Sequence, residues 1–135
     1  MTGKILQPII IALTFVSCIA SKNDVKFEKD GYFYINSSIN DSIKGRFIFD
    51  TGANSLYLDS TFISKHTSII KSALDTARMR GAGATAYKQV LLIKDTIKIK
   101  VGSYSHSFTN SPILKLTDIN GENIAGIIGN EFIKK

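Results

Sequence analysis

The chain has 135 residues, one domain's worth, and its 44% apolar content is enough for a core of its own. The net charge is +6, but the 17 lysines and arginines are spread along the chain without a stripe or reader motif, so nucleic acid is not an expected partner. His66 and His106 stand apart and Cys18 is the single cysteine, so no metal-ligand spacing is present and neither metal nor cofactor is expected.

Lys4 precedes an apolar run over residues 5–16, shorter than the ~20 residues of a membrane-spanning helix. The run closes on Ser17-Cys18, and residues 1–17 read as a signal peptide. Phe15-Val16-Ser17-Cys18 resembles a bacterial lipoprotein signal, with Phe15 where leucine is usual. That resemblance implies lipidation at Cys18 and an exported protein held on a membrane, at the periplasmic or outer surface of a bacterium. A conventional signal cut near Ala20 and a buried first strand are the alternatives. Residues 18–30, with Ser21-Lys22-Asn23-Asp24, are expected to be a polar tether, and residues 31–135 the folded domain.

Residues 31–39 and 43–49 read as strands joined by Asn40-Asp41-Ser42, a hairpin. The second strand passes from alternating Lys44 and Arg46 to continuously apolar Phe47-Ile48-Phe49, as where a strand enters a core. Asp50-Thr51-Gly52-Ala53 breaks the run, and Leu56-Tyr57-Leu58 resumes it. Apolar strands on both sides are expected to hold Asp50 near the interior, where a carboxylate is costly unless partnered. Asp59-Ser60 offers caps for a short helix over residues 61–66, with a weak helical or irregular stretch over 69–74. Arg78-Met79-Arg80 leads into Gly81-Ala82-Gly83, the least bulky segment, and residues 87–93, 96–101, 104–108 and 112–116 read as further extended pieces. Ile127-Ile128-Gly129 closes an apolar, glycine-spaced run, and Asn130 is placed to cap a helix beginning at Glu131. Many short strands with Gly, Ser and Asn punctuation indicate a mostly β domain, a closed barrel or sandwich with one or two short helices.

Several motifs carry little. Gly81-Ala82-Gly83 lacks the third glycine of a dinucleotide loop and the Lys-Ser/Thr of a P-loop. A Ser-His-Asp set can be assembled on paper from many serines. For Asp50 the plainer reading is a turn acid that accepts from a neighbouring backbone N–H.

Taken in order, the apolar-apolar-Asp50-Thr51-Gly52-Ala53 turn, the Gly81-Ala82-Gly83 stretch between strands and Ile127-Ile128-Gly129 resemble the retropepsin-like aspartic proteases over residues 32–133. The resemblance implies that Asp50 is the catalytic acid. Thr51 would bond across to a partner loop, and Gly52 would supply an unhindered backbone whose N–H reaches the carboxylate. Gly81, Ala82 and Gly83 would form a flap over substrate, with Ile127, Ile128 and Gly129 supporting the catalytic loop and Ser55 beside it. Peptide-bond hydrolysis needs a general base and then a general acid, and two carboxylates in contact divide those roles by sharing a proton.

Only one Asp-Thr-Gly is present, while Asp59, Asp75, Asp95 and Asp118 read as turn or polar-segment acids. The second acid is therefore expected from a homodimer or another lobe. Because residues 131–135 offer little to close the apolar face of a final helix, the chain is expected to be the N-terminal part of a longer protein. The expected activity is that of an aspartic endopeptidase acting on peptides or proteins. A non-catalytic exported domain that holds an extended peptide is the alternative.

Overall fold

A hairpin begins the fold and sets its register. In the computed structural model, which describes residues 25–81, 83–116 and 123–134, strands β1 (Phe27–Asp30), β2 (Tyr32–Ile39) and β3 (Ile43–Phe49) follow one another through tight turns. Asn40 and Asp41 both take left-handed backbone angles (φ 49° and 61°), and the Ser42 N–H closes the turn on the Ile39 carbonyl oxygen at 3.2 Å. Asn and Asp are among the few L-residues that accept this conformation readily.

β4 (Leu56–Asp59) runs into α1 (Ser60–Lys65) and a 3₁₀ turn at Thr67–Ile69. Then come β5 (Asp75–Met79), β6 (Lys88–Ile93), β7 (Ile97–Val101), β8 (Tyr104–Phe108), β9 (Ser111–Leu114) and β10 (Gly126–Ile128), with a second 3₁₀ turn at Asn130–Ile133. The strands form one sheet in the order β5-β6-β9-β4-β10-β3-β2-β7-β8, with β1 added on β2. Two pairings are parallel, β3 with β10 and β4 with β9, and the rest are antiparallel.

Ile35, Phe47, Leu58, Ile93, Ile99, Phe108 and Ile128, drawn from seven strands, belong to one cluster in which no buried residue is more than 5% exposed. One six-residue helix cannot cover such a face, so the sheet covers itself by curling. Because successive side chains on a strand point to opposite faces, Phe47 enters this core while Ile48 packs with Tyr34, Leu116 and Ile124 on the other side. The unbroken apolar run before Asp50 thus serves two faces.

The mostly β class and the short helices agree with the sequence. Three details differ. Residues 27–30 were expected to be tether but form β1, because the Phe27 ring packs on Phe33 and Phe49 at centroid distances of 6.5 and 5.6 Å. β5 occupies a segment to which the residues themselves assigned no strand, although the resemblance implied one before Gly81, and its pairing with β6 sets its bounds. Asn130 lies within the last 3₁₀ turn, with Gly129 at the cap position and no side-chain cap bond. Cys18, Ala82 and Asp118 lie outside the described residues.

Candidate active site

Asp50 follows directly on β3, at the point where its two-faced burial ends. Its N–H donates to the Ile128 carbonyl oxygen at 3.0 Å, and its own carbonyl accepts from Ala53 N at 3.1 Å, which fixes the turn. The Gly52 N–H donates to Asp50 Oδ1 at 2.8 Å. A Cβ on residue 52 would stand 3.2 Å from that same oxygen, so glycine leaves the carboxylate uncrowded. Asp50, Thr51 and Gly52 are all exposed in the single chain, not held inside as the flanking strands suggested. The reason is geometric. The last buried residue of β3 is Ile48, and the turn carries the acid beyond the rim of the sheet.

Behind the turn, β10 is wedged between the two strands that carry it. Ile128 is in register with Phe49 of β3 on one side and with Leu56 of β4 on the other. After β10 the chain keeps hold of the turn: Gly129 N donates to Ser55 O at 2.9 Å, Asn130 N to Ala53 O at 2.9 Å and Glu131 N to Asn54 O at 3.1 Å. The Asn130 side-chain amide adds a bond to the Thr51 carbonyl oxygen at 3.3 Å. Gly129 is needed for closeness, because a Cβ there would lie 2.5 Å from Ala53 O and 2.6 Å from Ser55 O. The structure thus brings Ile127, Ile128 and Gly129 against the Asp50 turn, and Ser55 takes part through its backbone.

The β5–β6 hairpin carries Gly81 and Gly83 at its tip, with Met79 opposite Lys88 at the last paired position. Gly83 has φ 77°, a left-handed conformation suited to glycine, and nothing lies within 4 Å of a Cβ built on either residue. A cleft of about 500 Å³ separates the hairpin from the turn, lined by Met79, Arg80, Gly81 and Lys88 on one side and Gly52, Asn54 and Tyr57 on the other. On the other flank of the turn, a second cleft of about 640 Å³ is lined by Asp50, Thr51, Ile48 and the aromatic rings of Phe27, Tyr32, Phe33 and Phe49. Ile127 borders both.

Three other acids singled out in the sequence, Asp59, Asp75 and Asp95, are committed elsewhere. Asp59 was expected in polar surroundings, yet it is 3% exposed. It accepts from Phe62 N at 2.9 Å as the N-cap of α1 and from Leu116 N at 2.9 Å. Asp95 accepts from Lys71 N, Ser72 N and the Ser72 hydroxyl, and the two backbone bonds, then the hydroxyl, hold its carboxyl below the ordinary value. Asp75 is lowered by its contact with Lys94 at 2.8 Å, which raises the lysine in turn. Asn130 and the cleft-lining Arg80 and Lys88 were missed as site residues in the sequence. The position of Asn130 directly after Ile127-Ile128-Gly129 was the available signal.

A curled sheet that presents Asp-Thr-Gly between two strands, a third strand wedged behind it and a glycine-tipped hairpin facing it define an aspartic-protease-like lobe. The aspartyl protease family model matches residues 35–132, and the chain belongs to that family. The match covers β3, the Asp50 turn, the hairpin and β10, the parts that build the site. No curated protein matches the chain.

Proposed function

We propose that this chain is one half of an aspartic endopeptidase, in which Asp50 shares a proton with the Asp50 of a second copy or with the acid of an equivalent lobe. The observation that carries the reading is the exposed Asp50 carboxylate, held at Oδ1 by the Gly52 N–H on a turn braced by β10. A carboxylate so placed is available to a second acid approaching from outside the chain. In the pair, the ionised carboxylate takes a proton from water as it attacks the peptide carbonyl, and the protonated one gives its proton to the carbonyl oxygen. The proton taken from water then passes to the leaving nitrogen, and the second acid recovers its own as the C–N bond breaks. Such a pair titrates as a unit, so its two pKa values belong to both acids together.

In this reading the Thr51 hydroxyl bonds to the facing loop. Gly81, Ala82 and Gly83 give the hairpin the freedom to open for substrate and close over it, excluding bulk water. Residues 1–17 act as the export signal and the lipid on Cys18 tethers the protein to a membrane surface outside the cytoplasm. Acyl labelling, and release of Cys18→Ser protein from membranes, test that part.

The catalytic part is tested with fluorogenic peptides at acidic to neutral pH. Activity per chain rises with protein concentration as copies pair, and Asp50→Asn removes it while the thermal melt stays unchanged. Full activity in Asp50→Asn would overturn the reading. The position of β5 at one end of the sheet favours a second reading, a non-catalytic domain that binds peptides by strand addition. That domain would bind peptide equally well with and without Asp50 and turn over none.

A further inference from the structure

The cleft between the β5–β6 hairpin and the Asp50 turn has an unbalanced charge. Arg80 and Lys88 line it, and no carboxylate does. Three cations elsewhere in the domain meet acids, Arg46 with Glu28 at 3.2 Å, Lys94 with Asp75 at 2.8 Å and Lys98 with Asp41 at 3.1 Å, but none of these lines the cleft. Among the described residues Arg80, Lys88 and the neighbouring Arg78 have no such partner, and residues 76–93 contain no Asp or Glu. Arg78 and Arg80 place their guanidinium carbons 5.3 and 5.4 Å from the centre of one ring, Tyr87. The ring attracts each cation but carries no charge to neutralise it, so an anion that reaches this cluster is favoured. The ring also restricts both side chains, so less of their freedom is lost when an anion binds.

We propose that this cleft takes an acidic residue of the substrate peptide, whose carboxylate is held by Arg80 and Lys88. The proposal rests on the peptidase reading, because it is the Asp50 turn that makes a peptide the molecule crossing this cleft. The two flanks of the turn then differ in what they accept: apolar side chains against Phe27, Tyr32, Phe33 and Phe49, and an anionic one beneath the hairpin. Arginine donates two parallel N–H bonds to a carboxylate, and Lys88 adds a third donor from the facing strand. Long-range attraction to the same cations speeds encounter with acidic peptides at low salt.

The test uses fluorogenic peptides in matched sets with Glu, Gln or Lys at each position flanking the cut. At low salt, Glu exceeds Gln in kcat/KM by about tenfold at one or more positions, the effect of one charge-assisted contact, and Lys falls below Gln. Arg80→Gln and Lys88→Gln each move the Glu-to-Gln ratio toward one, and together they abolish it. Lys100→Gln, a basic residue outside this cleft, leaves the ratio where it was. Both cleft cations are exposed, so these variants fold. Binding of the same labelled peptides to Asp50→Asn protein, read by fluorescence anisotropy, gives the preference without turnover. Cleavage with equal rates for Glu and Gln at every position overturns the inference and leaves the peptidase reading standing. A Glu preference in binding, with no peptide cleaved by the parent protein, supports the cationic cleft and overturns the peptidase reading.

Discussion

The side-chain amide of Asn130 donates to the carbonyl oxygen of Thr51 at 3.3 Å, across 79 positions of sequence. The bond joins the turn after the last strand to the residue that follows the candidate catalytic acid. The other oxygen, Asn130 Oδ1, is buried without a partner among the described residues.

Those two facts act in opposite directions on stability and in the same direction on precision. Replacing Asn130 by Ala removes a hydrogen bond of about 1 kcal/mol but also an unsatisfied acceptor, so the net change in stability stays below ~1 kcal/mol. The turn, however, loses a support, and kcat falls about five- to tenfold with KM little changed. Steady-state kinetics beside thermal melts separate the two quantities.

Gly129→Ala drives a methyl group into Ala53 O, Ser55 O and Ser55 N, all backbone atoms within 2.7 Å of its position. Backbone cannot rotate away as a side chain can, and the expected loss is about 2–3 kcal/mol, with activity lost as the turn shifts. Gly81→Ala, with open space around it, changes stability by less than ~0.5 kcal/mol. Denaturant titration of the pair shows whether the glycines divide in this way.

Asp59→Ala removes the N-cap of α1 and leaves the buried Leu116 N–H without its acceptor. The cap contributes about 1 kcal/mol and the orphaned donor about 1–3, so the variant is expected to lose about 2–4 kcal/mol in total. Asp59→Asn keeps one acceptor oxygen and loses less. Urea unfolding of the three proteins ranks them.

Asp95 supplies a pH dependence of known sign. Its carboxyl is lowered in the folded protein by the N–H groups of Lys71 and Ser72 and then by the Ser72 hydroxyl. A lowered group contributes stability above its unfolded value, ~3.9, and that contribution is lost as pH falls through the lower folded value. The stability difference between the parent and Asp95→Asn is therefore flat near neutrality and shrinks below about pH 4. Exchange of the Lys71 and Ser72 amides, followed through the same range, locates the change.

Local chemistry makes much of this fold legible in the sequence. The hairpin at Asn40-Asp41 needs only residues that tolerate positive φ, and the Asp50-Thr51-Gly52 turn is bounded by apolar runs that no surface loop would carry. What the sequence concealed depends on partners far along the chain. β5 alternates only over Ala77-Arg78-Met79, too short a signal alone, and becomes a strand through β6. Asp59 looks like an ordinary cap, and its burial comes from Leu116 and Ala125 closing over it. The exposure of Asp50 was concealed for the opposite reason: its neighbours in sequence are buried, yet the turn leaves the sheet at that residue.

The wedging of β10 between β3 and β4 also has a consequence in time. The bond from Asp50 N to Ile128 O, like that from Asn130 to Thr51, closes a loop spanning most of the domain. Contacts of such long sequence separation cost loop-closure entropy before they return anything, and they form slowly. Asp50 therefore stays on an unbraced turn while the early hairpin is already paired. The carboxylate reaches its working position only when the last strand docks.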